Sequence, residues 1–303
     1  MVIFMIVITG GSGFIGTHLC RAFADEGHNV KILDVSPPPL GAKAEFIRVS
    51  VLDSAKLQKH FAGADAIIHL AAQIDVQASL SDPFSDFQTN ALGTLNVLET
   101  ARKADVDKVA FASSAAVYGN PEEIPIPESH PTVPLSPYGQ SKLTAESYVL
   151  LFNKLYGMQN TALRLFNVYG KGQNPRSPYS GVISKFAEAI SSGKQPVVYG
   201  DGEQTRDFVH ADDVANAFVL AADSAGCESA INIGSGKEVA ILDLLETMCS
   251  LSGKTPDPKF LSARKGEIKR SVANISLAKK KLGYSPKILL EQGLKELVSA
   301  SQQ

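Results

Sequence analysis

The sequence predicts an α/β fold in which helices cover both faces of a doubly wound parallel sheet, with a smaller α/β substrate domain toward the C-terminus. Two observations predict the sheet. Short apolar runs alternate with amphipathic stretches through the first half of the chain, as they do where a helix connects two parallel strands. The first run, residues 2–9, is almost wholly apolar, which is typical of a strand buried on both faces of the sheet.

The predicted elements follow this alternation in order. Strands are predicted at residues 2–9, 29–33, 46–49, 66–70, 108–113 and 161–166, and helices between them at 16–27, 54–61, 89–103 and 137–156. After residue 170 Gly and Pro become frequent, and helices are predicted at 180–192, 212–222, 241–251 and 275–282. We therefore expect one domain over residues 1–170, to which about 205–235 also contribute, and a second, interleaved domain over 171–303.

Composition narrows the functional class. The 303 residues are 44% hydrophobic with a net charge of −2, which supplies a core but no basic face for nucleic acid. Cys20, Cys227 and Cys249 lie far apart, as free thiols of a reducing compartment do. The apolar start at residues 1–8 is too short to span a bilayer and lacks a basic leader. The six histidines show no metal-ligand spacing. We expect a cytoplasmic protein without a metal site, a membrane partner or a nucleic-acid partner.

Residues 9–16 form a glycine-rich loop, Thr-Gly-Gly-Ser-Gly-Phe-Ile-Gly, between the first strand and the first helix. Glycines at a helix N-terminus let backbone N–H groups approach a phosphate, so this context predicts a Rossmann-like dinucleotide site. A carboxylate at the end of the second strand accepts ribose hydroxyls and repels a 2′-phosphate, which favours NAD over NADP. The alternative is a tight turn followed by a solvated Asp. The candidate residues are Gly10, Gly13, Phe14, Ile15, Gly16 and Asp34.

The helix predicted at 137–156 begins in an unusual way. Ser136 and Pro137 are good starting residues, but Gly139 costs about 1 kcal/mol relative to Ala, and Lys142 places a cation near the positive end of the helix dipole. These features suit a Tyr138 that must lose its proton, because a nearby cation lowers a phenol's pKa. The alternative is an exposed Tyr beside a solvated Lys.

A serine pair ends the strand that precedes this helix. Ser113 and Ser114 lie within residues 111–119, at the edge where parallel sheets bind ligands. A hydroxyl there can bridge a substrate hydroxyl and a tyrosine phenolate. The alternative is a serine in an ordinary turn.

Together these residues resemble the extended short-chain dehydrogenase/reductase family, and especially nucleotide-sugar 4-epimerases of the UDP-glucose 4-epimerase type. The likeness covers nearly the whole chain in the segments TGGSGFIG (9–16), HLAA (69–72), NALGTLNVLE (90–99), SSAAVYG (113–119), SPYGQSK (136–142), RLFNVYG (164–170), YGDGEQTRDFVHADDVA (199–215) and ARKGEIKRS (263–271). The combination of TGxxGxxG with YxxxK is highly specific for this superfamily.

The resemblance implies a reaction and a role for each matched residue. Tyr138 would take the proton from the sugar 4′-OH, Lys142 would lower the Tyr138 pKa and hold the nicotinamide ribose, and Ser114 would assist at the 4′-oxygen. NAD would take up the hydride and return it through a 4-keto sugar. The family pattern assigns further cofactor contacts to Ser50, Val51, Leu70, Ala71, Ala72, Asn90 and Ser113, besides Tyr138 and Lys142. It assigns substrate contacts to Ser114, Asn167, Tyr199, Arg206, Arg264, Glu267 and Ser271.

Simpler interpretations of the substrate residues stay open. Arg206 could form a salt bridge to Asp207 or Asp201, Arg264 could lie in a solvated basic loop, and Tyr199 could be a packed tyrosine. The small Ser271 would leave room for an acetamido group, so UDP-N-acetylglucosamine is a further candidate substrate.

Other functions are weighed against the UDP-hexose epimerase. An epimerase for a uronic or acetamido sugar, another nucleotide-sugar reductase or dehydratase, and a non-catalytic NAD-binding regulator remain alternatives. Dehydratases of this kind usually have an Asp-Glu pair where this chain has Ala115 and Ala116, and methyl groups cannot transfer protons. An unrelated hydrolase is not expected, because no GxSxG motif follows a strand. The resemblance also implies a homodimer paired through residues 90–103 and 137–156.

Overall fold

The structure is a computed structural model that describes residues 3–173, 181–263 and 268–300. Its strands, in chain order, are β1 Met5–Thr9, β2 Asn29–Asp34, β3 Glu45–Arg48, β4 Ala66–His69, β5 Val109–Ser114, β6 Thr161–Leu165, β7 Asn167–Tyr169, β8 Val197–Tyr199, β9 Thr205–Arg206, β10 Phe208–His210, β11 Ile231–Ile233, β12 Val239–Ala240 and β13 Lys259–Leu261. Seven of them form one parallel sheet in the order β11-β6-β5-β4-β1-β2-β3. The remaining strands form three two-stranded pairs, β10-β7, β12-β9 and β13-β8.

The helices surround this sheet and fill the second half of the chain. They are α1 Phe14–Asp25, α2 Ser54–Phe61, α3 Val76–Ser81, α4 Pro83–Phe87, α5 Gly93–Lys103, α6 Pro137–Tyr156, α7 Val182–Ser191, α8 Ala211–Asp223, α9 Ile241–Leu251, α10 Ser276–Leu282 and α11 Leu290–Ala300. A π-helical turn, Gln88–Leu92, leads into α5, and a 3-10 turn, Ala115–Tyr118, follows β5.

The alternation of side chains along each strand builds a core on both faces of the sheet. In β1, Ile6 and Ile8 pack with residues of α1 and α8, whereas Val7 packs with residues of α2, α5 and α6. All three side chains are at most 2% exposed. This double burial explains why central strands such as β1 and β4 are almost entirely apolar. A third core joins α7, α9 and α11 to β8 and β10.

The structure confirms the predicted fold class, a Rossmann-like parallel sheet flanked by helices. The bounds of α2, α6 and α9 match the prediction, and the six predicted strands are present with shifted ends, the largest shift being at the start of β1. The sequence analysis missed β11, which joins the main sheet beside β6, and it missed α3, α4 and α11. The exact domain limits remain a prediction.

Within the residues described, none of the helices combines the length and the apolar character that crossing a lipid bilayer requires.

Candidate active site

The glycine loop holds the end of β1 against the segment that follows β4. Gly10 has φ +73°, and a Cβ there would lie 2.5 Å from the backbone nitrogen of Ala71. A Cβ on Gly16 would lie 2.6 Å from the backbone of Gly11. Both distances are far below van der Waals contact, so side chains at Gly10 and Gly16 would force the loop apart. The glycines therefore permit the tight turn that opens α1.

The N-terminus of α1 fits the diphosphate of a dinucleotide. Gly13 is the N-cap residue and offers no side-chain cap, so the first amide groups of the helix keep their donors for another partner. The hydroxyl of Ser12 is buried and has no hydrogen-bond partner among the described residues. Backbone donors and a buried hydroxyl at a helix N-terminus are the groups that an NAD diphosphate would use.

Asp34 ends β2 directly beside this loop. Its Oδ2 accepts a hydrogen bond from the backbone N–H of Ser12 at 3.1 Å, and its Oδ1 accepts one from the N–H of Ser36 at 3.0 Å. An ionised carboxylate has about four acceptor positions, so two internal bonds leave capacity for ribose hydroxyls. The geometry thus agrees with the ribose-binding role predicted for Asp34, which remains a prediction.

Replacing Asp34 by Ala is expected to weaken NAD binding by about 10- to 100-fold, because a hydrogen bond to a charged group contributes about 1.5–3 kcal/mol. NADP should bind better than before, because the negative charge facing its 2′-phosphate is gone. Calorimetric Kd values for both dinucleotides measure the change. Asp34→Asn keeps one carbonyl acceptor, so its affinity for NAD should lie between those of the wild type and Asp34→Ala. An unchanged ratio of the two Kd values would show that Asp34 does not select the dinucleotide.

The predicted adenine-contacting residues Ser50 and Val51 follow β3. The Ser50 hydroxyl accepts the N–H of Leu52 at 3.2 Å, so it shapes its own turn. Val51 is 7% exposed, and its carbonyl accepts a hydrogen bond from Asn96 Nδ2 at 3.0 Å. α5 reaches Val51 closely because Gly93 has no side chain: a Cβ there would lie 2.7 Å from Val51 Cγ2. Their contact with adenine remains a prediction.

Asn90 fixes the segment that follows β4, residues 70–73. Its Nδ2 donates to the Gln73 carbonyl at 2.9 Å and lies 3.1 Å from both Asp86 Oδ1 and Ser141 Oγ. Its Oδ1 accepts the Gln73 N–H at 2.8 Å. Because a side-chain amide has two donor hydrogens, these bonds use all of them. The cofactor role predicted for Asn90 would therefore act through Leu70, Ala71 and Ala72, which it holds beside the glycine loop.

The unusual start of α6 brings Tyr138 to the end of β5. Ser136 caps the helix by accepting the N–H of Gly139 at 3.1 Å. A Cβ on Gly139 would lie 2.8 Å from the Ala116 carbonyl oxygen, so only glycine lets α6 approach the turn after β5 this closely. The consequence is that the Tyr138 phenol comes close enough to the Ser114 hydroxyl for that hydroxyl to favour the phenolate and lower the phenol's pKa. The glycine that is unfavourable for the helix therefore serves this contact.

The expected lowering of the Tyr138 pKa is wrong for the chain alone. Burial raises the pKa of the Tyr138 phenol, and the negative charge of Asp86 raises it further, against the opposing effect of the nearby Ser114 hydroxyl. Burial disfavours the phenolate because it removes the water that would solvate the charge. The phenol is therefore protonated at neutral pH until further positive charge reaches it.

Lys142 lies one turn after Tyr138 in the interior, 3% exposed. Its Nζ sits over the Phe111 ring, 4.3 Å from the centroid, in a cation–π contact. Burial lowers the pKa of Lys142 to about 7, while the carboxylates of Asp86 and Glu146 oppose this shift. The ammonium and the neutral amine of Lys142 therefore differ little in free energy near neutral pH, so nearby charges decide which form dominates.

Ser113 and Ser114 face different partners. The Ser113 hydroxyl donates to Glu146 Oε2 at 2.6 Å. Glu146 in turn receives two hydrogen bonds from Arg164, at 2.7 and 3.0 Å. Because Ser113 is engaged by Glu146 while Ser114 affects the Tyr138 pKa, the arrangement favours Ser114 over Ser113 as the serine beside Tyr138. The buried network around Ser113 was not predicted from the sequence. Two features of the sequence could have indicated this network. Arg164 interrupts a largely apolar strand, and Glu146 follows Lys142 by one helical turn.

His69, within the HLAA segment, is a fully buried packing residue. Its ring nitrogens lie 2.7 Å from Thr9 Oγ1 and 3.0 Å from Thr94 Oγ1. Burial lowers the pKa of His69 to about 3, helped by the charge of Lys142, so the ring is neutral. Over the ranges of the chain that are described, no three His, Cys, Asp or Glu side chains cluster in a way that could hold a metal ion.

A cavity of about 240 Å³ collects three of the predicted substrate residues, Asn167, Tyr199 and Arg206. Lys185 and Gln204, which the sequence analysis did not select, line it as well. Two cationic side chains at one cavity suit a diphosphate. Lys185 could not have been selected from sequence, because a single lysine on an amphipathic helix is ordinary.

One further substrate candidate that the structure describes, Ser271, does not line this cavity. Ser271 is 7% exposed. It follows Arg270, whose guanidinium binds the Glu238 carboxylate through two hydrogen bonds of 2.7 and 2.6 Å. Arg264 and Glu267 lie outside the described residues.

Comparisons with known proteins identify the family. Residues 6–234 match the sequence model of the NAD dependent epimerase/dehydratase family. A Thermotoga maritima UDP-glucose 4-epimerase, solved with UDP-glucose, is 35% identical over 97% of both chains, with a TM-score of 0.92. A UDP-N-acetylglucosamine 4-epimerase from Methanobrevibacter ruminantium, in complex with UDP-N-acetylmuramic acid, is 37% identical over 100% of both chains, with a TM-score of 0.94.

A third structure contains the cofactor. The UDP-glucose 4-epimerase of Thermus thermophilus, complexed with NAD, is 32% identical over 98% of this chain and 99% of that chain, with a TM-score of 0.89. The family resemblance seen in the sequence is thus confirmed. The chain belongs to the NAD-dependent epimerase/dehydratase family, and its cofactor is NAD.

Proposed function

We propose that the protein is a nucleotide-sugar 4-epimerase that interconverts UDP-glucose and UDP-galactose through a 4-keto intermediate. One observation carries the proposal. The Tyr138 phenol lies close enough to the Ser114 hydroxyl for that hydroxyl to lower its pKa, with Lys142 one helical turn beyond, at the sheet edge that also bears the glycine loop. An NAD-binding regulator has no use for a buried phenol arranged in this way. The epimerase structures that align with the chain from end to end support the same conclusion.

The residues divide the chemistry between them. Tyr138 removes the proton from the sugar 4′-OH and later returns it, and Ser114 holds the 4′-oxygen through its hydroxyl. NAD⁺, when bound, would supply the hydride acceptor and donor for the sugar C4′, and its positive ring would favour the Tyr138 phenolate. Lys142 supplies the positive charge of the protein itself beside Tyr138. Asn167, Lys185 and Arg206 would hold the diphosphate, whose charge suits their cavity.

Replacing Lys142 by Met is expected to move the acidic limb of the kcat–pH profile upward by about one pH unit or more. Without the ammonium the pKa of Tyr138 is higher, so the phenolate forms only at higher pH. At pH 7 turnover should fall by up to about tenfold for each pH unit of that shift, because the phenolate fraction falls by that factor. Lys142→Arg keeps the charge and should keep the limb near its original position. An acidic limb that does not move in Lys142→Met would show that the charge has no part in activating Tyr138.

The reaction is proposed to end with re-reduction, not with dehydration. Ala115 and Ala116 begin the turn directly after Ser114 and offer only methyl groups. An elimination across C5 and C6 of the sugar needs an additional acid and base at this place. Ala115 and Ala116 can supply neither group, which favours epimerisation over dehydration.

The substrate is proposed to include acetamido sugars. The support is that a UDP-N-acetylglucosamine 4-epimerase is among the structures that align over the full chain. The test is a panel of UDP-glucose, UDP-galactose, UDP-N-acetylglucosamine and UDP-glucuronate, with products identified by NMR. It shows whether acetamido sugars are substrates and whether the reaction ends without dehydration. Epimers of the first three are expected. A 4-keto-6-deoxy product would replace the proposal by a dehydratase, and NAD binding without any turnover would favour the regulator.

The protein is also proposed to form a homodimer through residues 90–103 and 137–156. On α6, Leu151 and Leu155 are 40% and 59% exposed, and apolar side chains on a helix surface favour burial against a partner. Light scattering should give twice the chain mass of 32.2 kDa. A monomer mass at micromolar concentration would contradict this.

A further inference from the structure

Asp86 is a buried carboxylate that the proposed reaction does not yet use. It lies on α4, packed against the start of α6, and is 1% exposed. Its Oδ1 accepts hydrogen bonds from Gln73 Nε2 and Asn90 Nδ2, each at 3.1 Å. Its Oδ2 is buried and has no hydrogen-bond donor within the described residues. Burial raises the pKa of this carboxyl, and the nearby Ser141 hydroxyl and Lys142 ammonium oppose that shift. A buried carboxylate with one oxygen unsatisfied is costly unless a positive charge lies nearby.

The charges around it show which positive group that is. Glu146 on α6 pairs directly with Arg164 on β6 at 2.7 Å, so these two charges balance each other. His69 on β4 is neutral. The ammonium of Lys142 is then the charge left to balance Asp86. It forms no direct ion pair within the described parts of the chain and sits over the Phe111 ring, so the attraction to Asp86 acts across space.

The hydrogen bonds also connect this carboxylate to the backbone of Tyr138. Asn90 joins Asp86 to Ser141, and the Ser141 hydroxyl donates to the Tyr138 carbonyl at 3.0 Å. On the other side, Ser79 of α3 accepts the Tyr138 N–H at 3.1 Å. The α3–α4 segment thus holds the first turn of α6 in place and brings the negative charge of Asp86 next to it.

We propose that Asp86 is a positioning residue of the proton-transfer site, whose buried carboxylate keeps Lys142 in its ammonium form beside Tyr138. The inference rests on the proposed function, because it concerns the same tyrosine and lysine. Asp86 touches neither substrate nor cofactor in this role and acts through Lys142.

The proposal predicts one direction of change for two groups. The negative charge of Asp86 raises the pKa of Lys142 and also that of Tyr138. Removing the charge must lower both values. Turnover needs the Tyr138 phenolate together with the Lys142 ammonium, so the two limbs of the pH profile report the coupled titration of this pair. The coupled pair should therefore shift its whole bell-shaped profile toward lower pH.

The test is the isosteric variant Asp86→Asn, which keeps an oxygen acceptor for Gln73 and Asn90. Both limbs of its kcat–pH profile should move to lower pH by about one unit, as expected for the loss of one nearby charge in the interior. Asp82→Asn makes the same charge change four residues earlier at the exposed cap of α4, and its profile should stay in place. Asp86→Glu keeps the negative charge, so both limbs of its kcat–pH profile should stay at their wild-type pH.

A second measurement does not depend on turnover. Absorbance near 295 nm, taken with NAD bound and compared with the same protein carrying Tyr138→Phe, follows the Tyr138 phenolate directly. Its midpoint should fall by about one pH unit in Asp86→Asn. If the chain epimerises no sugar at all, the proposed function fails while this titration still decides the role of Asp86.

Several outcomes would overturn the proposal. A lower kcat with unmoved limbs and an unmoved phenolate midpoint would make Asp86 purely structural. Asp86→Ser is a second neutral variant, and both limbs of its kcat–pH profile must also move to lower pH. If these limbs stay at their wild-type positions, the charge of Asp86 does not set the titration of Lys142 and Tyr138. If both neutral variants fail to fold while Asp86→Glu folds normally, the carboxylate serves folding and not proton transfer.

Discussion

Tyr138→Phe is expected to reduce epimerase turnover by about 10³- to 10⁴-fold and to leave the Kd of NAD within about threefold of the wild-type value. Removing one oxygen eliminates the group that takes the 4′-OH proton. The aromatic ring still fills the space beside Ser114, so the dinucleotide groove keeps its shape. Steady-state kinetics on UDP-galactose give kcat, and calorimetry gives the affinity for NAD.

The control for this variant lies on the same helix. Tyr156 ends α6 and is 50% exposed, so Tyr156→Phe makes the identical chemical change far from the glycine loop. Its kcat should equal that of the wild type. If Tyr138→Phe retained more than about one tenth of the activity, the assignment of Tyr138 as the base would be wrong, whereas the family and the cofactor would stand.

The parts of the site that could be predicted from sequence are those that depend on local geometry. The glycine loop needs residues without side chains at Gly10 and Gly16, and the Tyr138–Lys142 pair needs one turn of helix. Both requirements appear directly in the order of the residues. The direction of the Tyr138 pKa could not be predicted in this way, because it depends on burial and on Asp86, which belongs to a different helix.

The missed elements share a physical reason. Residues 76–87 fold into α3 and α4 with their apolar side chains outward, Leu80, Phe84 and Phe87 being 51–69% exposed. Their buried side chains are the polar Ser79 and Asp86. Hydrophobic periodicity therefore gives no signal for a core-facing helix here. The three residues of β11 give little signal of their own and become a strand because β6 lies beside them.

The buried pair behind Ser113 is a feature that only the assembled fold reveals. Arg164 lies within β6, and Glu146 lies on α6, so the pair joins the sheet to the helix that carries Tyr138. The Arg164 guanidinium also donates to the Tyr118 hydroxyl at 2.8 Å, and Tyr118 donates to Asn232 beside β6 at 2.7 Å. The pair therefore connects β5, β6, α6 and β11 in one polar network inside the molecule.

Arg164→Met is expected to lower the free energy of unfolding by about 3–5 kcal/mol. Methionine fills part of the space of the arginine but leaves the Glu146 carboxylate buried without its cation. The side chains of Arg164 and Glu146 are only 8% and 3% exposed, so water cannot replace the lost partner. Urea denaturation at neutral pH measures the change.

The double variant Glu146→Leu with Arg164→Met separates the charge from the packing. Removing both partners of a buried ion pair often leaves stability unchanged or increased, so most of the loss should be recovered. Arg102→Met is the surface control: Arg102 binds Glu99 through two hydrogen bonds of 2.9 Å near solvent, and its loss should barely change unfolding. A double variant no more stable than Arg164→Met would show that packing at Arg164, and not the unpaired carboxylate, carries the effect. Recovered stability combined with lower kcat would show that the pair is retained for the orientation of α6 and its Tyr138.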